Sequence, residues 1–582
     1  MESKSYSSNL PDELWLKIFK NFHPIYDNIF HLALVCRQWR NIIIKAPDPC
    51  LWETIELANI RNCYLDSPFL SRFTFILTNF GKYVKVLRLR RCHSYFTDAL
   101  KGHARRLCSL QFLEIKGTSW NKKILKELSC YKTLKNIEIE AADGDLDRTF
   151  REQDFCRLIE NFPRLDQISL QYSTFKRETL SYIQDLVTCR YSSRITDLQI
   201  ERAKIDPLDL NEVVQNLQGL KSFTYGNDQI HGLPSIQCLA LESKSIKEMN
   251  LFQIGDFAEF RFDLPHLQKL TINLSTSLQT LTVYAPSLRV LDLVHCSELR
   301  KLSKVSSTSL HEVKIRRCSA LSSSELIRFL VQNPDIKKLD LEVCFANLRL
   351  DQNSNPSLEM LSVFDSGCGL ISLDIRCPKL RVLTFMKSLI HSSLLKVVAI
   401  RSEEMDSIVI RNVPHLRKLI LNASKVKHLE LDFDRRVRQI KPASFTTIHF
   451  QSNLSIGMLV LKKLNIRSIV INKCYVKQAV MDLCNLDASL TDMLDHFYEI
   501  ESLALQNCHG PCQITVQNDS LKELQVSSCT SVLMDHINVL CPLLERLCVH
   551  GTSILPSKKE VESTAKALKK VCPQLLDVNF SH

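Results

Sequence analysis

Glycine is scarce in this chain, at 13 of 582 residues. That scarcity argues against Gly-rich phosphate loops and against long flexible linkers. Long apolar runs are missing too. None approaches the roughly 20 residues that a membrane-spanning helix needs, and the polar start MESKSYSSNL lacks the hydrophobic region of a signal peptide. No membrane partner is expected, and the chain is expected in the cytoplasm and/or the nucleus. The patterns HExxH, GxxxxGKS/T, GxSxG and GxGxxG do not occur. Asp143-Gly144-Asp145-Leu146-Asp147 reads as an acidic turn without the rest of a calcium loop, and Cys508-His509-Gly510-Pro511-Cys512 has no second paired cluster with which to hold zinc. No catalytic residue, no cofactor and no metal site is therefore expected.

What is present describes an ordinary folded protein, 45% hydrophobic and 24% charged. At 582 residues it exceeds the size at which one compact core keeps growing, so several domains or a repeat architecture is required. The net charge of +12 comes from scattered clusters such as Arg88/Arg90/Arg91, Arg435/Arg436/Arg438 and Lys569/Lys570. Scattering of this kind suits a solvated surface better than a nucleic-acid site, and no nucleic acid is expected as a partner. In a reducing compartment the 22 cysteines are expected to be free thiols.

Near the N-terminus, LPDELWLKIFKNF places Pro11, Asp12 and Glu13 where a helix start tolerates a missing N–H and favours negative charge. A helix is predicted over residues 11–22, with Leu14, Trp15, Ile18, Phe19 and Phe22 forming one broad apolar stripe. The stretch NIFHLALVCRQWRNIII puts Ile29, Leu32, Val35, Trp39, Ile42 and Ile43 on a similar stripe, so two or three short helices share a small core. A unit of this size is marginal alone and should lean on a partner. The plainer alternative is a helical cap on the first repeat of a solenoid.

Leu10-Pro11, Glu13, Ile18-Phe19, Val35-Cys36, Arg37, Trp39 and Leu51-Trp52, in that order and spacing, resemble the F-box of F-box proteins with leucine-rich repeats. The resemblance covers residues 10–57. It departs from the family at His23 to Asp27, a loop about two residues longer than usual, and at Ile29-Phe30 with Asn28 in the usual acidic position. It implies a module that docks on a small Skp-family adaptor and through it on a cullin and a RING subunit, with Leu10, Pro11, Ile18, Phe19, Leu32, Val35, Cys36 and Trp39 making or supporting the interface. It also implies a non-catalytic, substrate-recognition subunit of an SCF-type ubiquitin ligase.

From Val84 onward the pattern Leu-x-x-Leu-x-Leu recurs, the strand signature of leucine-rich repeats. Twenty-one starts run from Val84 to Leu575, among them Phe445 and Ile466, at a mean spacing of about 25 residues that falls within the class. The expected fold class is thus α/β, a small all-α module followed by a leucine-rich-repeat solenoid. The expected boundaries are a disordered 1–9, the helical module at 10–57, a linker or cap at 58–83 and repeats over 84–582. Cys92, Cys296, Cys318, Cys344, Cys474, Cys508 and Cys529 sit three residues past a strand aliphatic, at the Asn/Cys position of the repeat, where a small buried side chain fits.

Helical returns are predicted at Glu152 to Ile159, after the capping box Ser322-x-x-Glu325, and at residues 530–540 and 558–571. Between about 340 and 466 the steps are too short for long helices. A second ladder half a repeat out of phase, in SLQTLTV, GLISLDI, LLKVVAI and PHLRKLIL, suggests short extended segments on the convex side. Which ladder lines the concave sheet there stays open. Strand alternation puts Arg88/Arg90, Glu114/Lys116, Glu138/Glu140, Lys314/Arg316, Asp340/Glu342 and Glu430/Asp432 on the concave face, with both signs mixed. Phe252, Val294, Phe364 and Met386 should be exposed there as an apolar patch suited to a protein substrate. Two alternatives stand beside the ligase reading: a repeat scaffold or receptor independent of ubiquitin, and, by resemblance to plant hormone-receptor F-box proteins, a small molecule or inositol phosphate near Arg88/Arg90 and Lys314/Arg316.

Overall fold

The computed structural model describes residues 10–27, 29–45, 47–60, 67–118, 132–140, 162–171, 194–201, 207–226, 238–255, 257–343, 346–365, 369–387, 394–433, 446–450, 454–463, 469–485, 489–508, 514–529, 537–550 and 558–581. The expectations for residues 1–9, Asn28, Asp143 to Asp147, Glu152 to Ile159, Cys344 and Cys512 lie outside these. The chain divides into two compact units, Met1–Thr271 and Ile272–His582.

The N-terminal unit opens with short helices. In α1 (Asp12–Phe19), Pro11 is the N-cap, with φ −56° and ψ 150°, so the helix is shorter at both ends than the 11–22 expected. Asp12 and Glu13 in its first turn complement the helix dipole. The second apolar stretch breaks into α2 (Ile29–Leu32) and α3 (Arg37–Arg40), because the Cys36 Sγ accepts a hydrogen bond from the Trp39 N–H at 3.4 Å and starts a new helix there. Trp15, Phe19 and Trp39 pack their rings at centroid distances of 4.6 to 5.8 Å. Edge-to-face pairs of this sort contribute beyond their buried area.

A second aromatic chain ties this module to the first repeats. The Trp52 ring stacks on Phe80 at 4.1 Å and on Phe30 at 5.8 Å, and is fully buried. Phe80 ends α4 (Pro68–Phe80), whose Pro68 follows the N-cap Ser67, and α5 (Ser94–Gly102) comes next. The strands Thr54–Ala58, Val86–Arg90, Phe112–Lys116, Asn136–Glu140, Gln167–Gln171, Asp197–Glu201, Ser222–Gly226 and Glu248–Phe252 each pair in parallel with the next. The first of them starts inside the segment read as the helical module, 32 residues ahead of its partner strand in register (Thr54↔Val86). Two residues per strand point inward, such as Ile55/Leu57, Leu87/Leu89 and Leu113/Ile115, and all are buried. Each such aliphatic contributes about 1.5–3 kcal/mol of burial.

The C-terminal unit repeats this plan in a run of parallel strands, from Val290–Val294 through Glu312–Arg316, Lys338–Val343, Met360–Asp365 and Val382–Lys387 to Asp577–Ser581. Behind them the backing element changes from repeat to repeat. Where 26 residues separate Glu312 from its register partner Lys338, a helix fits, Ser323–Gln332. Ser322 caps it by accepting from the Glu325 N–H, and the Glu325 carboxylate accepts from the Leu302 N–H at 2.8 Å. Other repeats carry a second parallel sheet instead, Asn347–Asp351, Ser372–Arg376, Val397–Arg401, Lys418–Asn422, Thr446–Phe450 and Ile469–Ile471. The out-of-phase ladder is therefore real. Of the helical returns near the C-terminus, Lys558–Val571 forms; of 530–540, residues 530–536 lie outside the described residues, and Ile537–Leu540 is a strand paired with Ile514–Gln517.

One part of the expected ladder is corrected. The segments following Phe445 and Ile466 belong to the second sheet, and the main sheet is continued by Ser455–Lys462 and Cys474–Asp482. The spacing reports only that aliphatics face inward, and Ile456, Leu459 and Leu461 satisfy it equally well. Gly457 allows the close approach in this region, since a Cβ there would lie 2.6 Å from the Lys427 carbonyl oxygen.

The cysteines explain how strands end. Arg91, His295, Arg317, Leu483, Asn507 and Ser528 have φ between 51° and 58°, and each precedes a buried cysteine. The thiols of Cys92, Cys296, Cys318, Cys484, Cys508 and Cys529 each donate to the carbonyl two residues back and to one on the preceding strand. Sharing one small donor between adjacent strands satisfies carbonyls that the turn leaves open. Cys484 thus holds the position expected of Cys474, which instead opens a strand. Burial pushes the Cys377, Cys474 and Cys541 thiols up to about 12, away from thiolate chemistry.

Candidate functional site

The helical module exposes apolar side chains that its size cannot bury. Leu10, Leu14, Ile18 and Phe22 are 38–42% exposed, and Leu34 and Val35 reach 76% and 63%. Pro11 and Cys36 are exposed as well, while Leu32 and Trp39 are half-buried. Phe19 is 1% exposed and sits within the aromatic cluster. Of the eight residues that the sequence points to, Leu10, Pro11, Ile18, Val35 and Cys36 can thus touch a partner directly. Phe19 lies behind them in the core. Leu14, Phe22 and Leu34 join the surface although the F-box pattern does not mark them. Gln38 fixes the two halves together, its Nε2 donating to the Leu10 carbonyl at 3.2 Å and to Asp12 Oδ1 at 2.8 Å.

The enlarged loop at His23 to Asp27 has a structural task. His23 Nδ1 accepts from the N–H groups of Ile25 and Tyr26, both at 3.1 Å, which leaves the proton on Nε2 to donate to the Glu56 carbonyl at 2.6 Å. Tyr26 Oη meets both the N–H and the C=O of Ala58, at 2.7 and 2.8 Å, and Arg72 Nη1 donates to the Ile25 carbonyl at 2.8 Å. The loop therefore covers the open edge of the first strand and locks the module to the sheet. Burial holds the His23 pKa below its ordinary 6.5, more strongly than the Glu56 carbonyl and the Asp27 and Glu56 charges raise it.

Along the exposed face of the sheet the charges pair across strands. In the N-terminal unit Arg90 makes a two-bond fork with Glu114 at 2.6 and 2.9 Å and reaches Glu56 at 2.7 Å, while Lys116 reaches Glu138 at 2.6 Å. Burial alone would raise the Glu114 carboxyl, but Arg90, Lys116 and Arg88 together outweigh it and hold it below the usual range. In the C-terminal unit Lys314 pairs with Asp292 at 3.3 Å and Arg316 with Asp340 at 2.5 Å. Arg411 and Lys462 both bind Glu430 at 3.1 Å. The pairs that hinted at an inositol phosphate, Arg88/Arg90 and Lys314/Arg316, are thus engaged by carboxylates.

The four apolar residues of the expected patch are only partly united. Phe364 and Met386 are register partners on neighbouring strands, both outward, with Met360 exposed on the first of them. Val294 pairs in register with Arg316, and the charged strands Glu312–Arg316 and Lys338–Val343 stand between it and Phe364. Phe252 belongs to the other unit, its ring lying against Gly226. Met360 escapes the sequence pattern because it opens its strand, where alternation is hardest to read.

These features define a class: a helical module with an unburied apolar surface, fixed to the first strand of a parallel-sheet solenoid whose strand spacing, inward aliphatics and strand-exit cysteines are those of leucine-rich repeats. Residues 7–48 match the F-box domain family, so the chain carries an F-box domain followed by that solenoid. F-box domains serve as non-catalytic adaptors and bind a Skp-family protein, and repeat arrays of this kind bind proteins. No curated protein sequence matches the chain. Among solved structures, the Toll–Spätzle complex of Drosophila is similar at 12% identity and TM-score 0.25, over 87% of this chain and 83% of that one. The circular leucine-rich-repeat protein CroV588 is similar at 12% identity and TM-score 0.25, over 92% and 96%. At such scores neither likeness adds to what the strand register and the F-box match establish.

Proposed function

We propose that this protein is the substrate-recognition subunit of an SCF-type ubiquitin ligase, acting in the cytoplasm and/or the nucleus. The observation that carries this reading is the solvent-exposed apolar surface of the F-box, led by Leu34 and Val35. A surface of that kind on a marginal domain is worth covering with a partner. Leu10, Pro11, Ile18, Val35 and Cys36 make the contact with the Skp-family adaptor, and Phe19, Leu32 and Trp39 hold them in place. Through the adaptor come a cullin and a RING subunit, and ubiquitin is transferred by the conjugating enzyme they recruit. This chain contributes proximity and orientation of the substrate lysine. Locking of the F-box to the first strand by His23 and Tyr26 suits that task, because a loosely hinged module would not hold an orientation.

The repeats bind a protein substrate, which is ubiquitinated and degraded by the proteasome. The neighbouring Phe364 and Met386, bordered by paired charges, form the favoured anchor. The experiment is co-purification of the full chain with a Skp-family adaptor, wild type against Leu10→Ala/Pro11→Ala. Capture by the wild type and its loss in the variant are expected. Equal capture of both, or capture of neither, contradicts the reading. For the substrate, partners that accumulate when the F-box is deleted should be released by Phe364→Ser/Met386→Ser, and retention of every one of them removes the anchor.

A further inference from the structure

The second sheet of the C-terminal unit carries a feature that adaptor docking and substrate anchoring leave unused. A cavity of about 480 Å³ opens at the C-terminal ends of four neighbouring strands. Asp351, Arg376, Arg401 and Asn422 stand side by side there in strict register, and Arg349 borders the same space.

Two arginines therefore occupy adjacent positions on adjacent strands, a juxtaposition that is unfavourable unless something negative lies between them. Arg376 is forked onto Asp374, its Nε and Nη2 at 3.2 and 2.9 Å from the two carboxylate oxygens. Arg349 lies 3.8 Å from the same Asp374. Arg401 is exposed and, among the described residues, has neither an ion pair nor a side-chain hydrogen bond. The contrast with the main sheet of the same unit is sharp. There Arg316 faces Asp340, and Arg411 and Lys462 share Glu430.

We propose that this cavity is a binding site for a single phosphate monoester, gripped by the free guanidinium of Arg401 and by the remaining N–H groups of Arg376. The planar fork of arginine matches two phosphate oxygens at once, and a volume near 480 Å³ holds one phosphorylated side chain or a small phosphate ester. Asn422 and Asn353 bring amide groups to the rim. Glu403 and Asp351 also line the cavity, and their negative charge limits the site to one dianion and repels a polyanion such as a nucleic-acid strand. The phosphate can come from a phosphorylated protein or from a small ester in solution.

Isothermal titration of the full-length chain at low salt tests this, with inorganic phosphate, a Gly-phosphoserine-Gly peptide and the unphosphorylated peptide as probes. Saturable binding of the phosphorylated probes is expected, at least tenfold weaker in Arg401→Gln and only partly restored in Arg401→Lys. The thermal unfolding midpoint of Arg401→Gln should match the wild type, because the side chain holds nothing in place. Tighter binding of the phosphopeptide than of inorganic phosphate supports the site and identifies a phosphorylated chain as the source. Equal binding supports the site and identifies a small anion. No saturable binding, equal binding of the unphosphorylated peptide, or binding unchanged in Arg401→Gln overturns the proposal, and none of these results touches the adaptor reading.

Discussion

The F-box and the repeats handle apolar side chains in opposite ways. In the repeats two aliphatics per strand turn inward and are lost to solvent, and what faces out is largely a set of paired charges. In the F-box, by contrast, Leu34 and Val35 sit in the turn between two helices and face outward, more exposed than any strand aliphatic of the core. The difference teaches where a partner is needed. Stacked strands complete one another, whereas three short helices cannot close around their own hydrophobic residues.

Breaking the repeat side of this contrast has the largest expected effect on stability. Asp365 and Lys387 are register partners that point into the C-terminal unit, 3.1 Å apart at 0% and 1% exposure. Lys387→Met takes the ammonium away from a buried carboxylate, and a loss of about 3–5 kcal/mol is expected from urea unfolding, with adaptor binding unchanged. Partial recovery is expected in Lys387→Met/Asp365→Leu, where the charge is gone from both sides. A loss below about 1 kcal/mol for the single variant would mean that the interior there is wetter than its burial implies.

A smaller effect is expected at the joint between the two regions. His23 has a lowered pKa in the folded chain, so its contribution is fully present above the ordinary 6.5 and is lost as pH falls through the lowered value. Protonation of Nδ1 removes the acceptor used by Ile25 and Tyr26. Hydrogen exchange at the Ala58 amide, corrected for its intrinsic rate, should accelerate as pH is lowered through that window, and should be fast and flat in His23→Ala. Protection that is independent of pH in the wild type would show that the loop does not depend on neutral His23.

The smallest effect concerns the strand exits. Leu483 holds φ 54° with its side chain 41% exposed, a conformation that costs a non-glycine residue about 1–2 kcal/mol. Leu483→Gly relieves that at some entropic cost, and a gain of about 0.5 kcal/mol is expected in the same urea measurement. A loss instead would mean that the leucine packs against the neighbouring repeat.

Much of this fold is legible in the sequence, and the limits have physical causes. The LxxLxL pattern locates most strands because inward aliphatics must recur, and the second ladder is visible for the same reason. The pattern is blind to which sheet a segment joins, so Thr446–Phe450 and Ser455–Lys462 can exchange roles in it. Thr54–Ala58 merges with the F-box in a sequence reading because its TIELA carries only one repeat unit of alternation. In the F-box itself, Ile18 and Phe19 lie on one broad stripe, yet adjacent helical residues diverge by about 100° and only one of them faces the core. Leu34 escapes the helical reading, and Val35, which that reading sets on the apolar stripe, faces outward because the Cys36 cap interrupts the helix that would have turned it inward. The arginine cavity needs register between four strands, which no single-strand pattern contains.

The central claim is that the exposed F-box surface is an adaptor interface, and a binding titration of purified Skp-family adaptor against the full chain and Leu34→Glu/Val35→Glu tests it most directly. Both side chains are exposed, so the variant should unfold at the wild-type midpoint while its affinity falls at least a hundredfold, about 2.7 kcal/mol. Unchanged affinity in a folded variant would contradict the account.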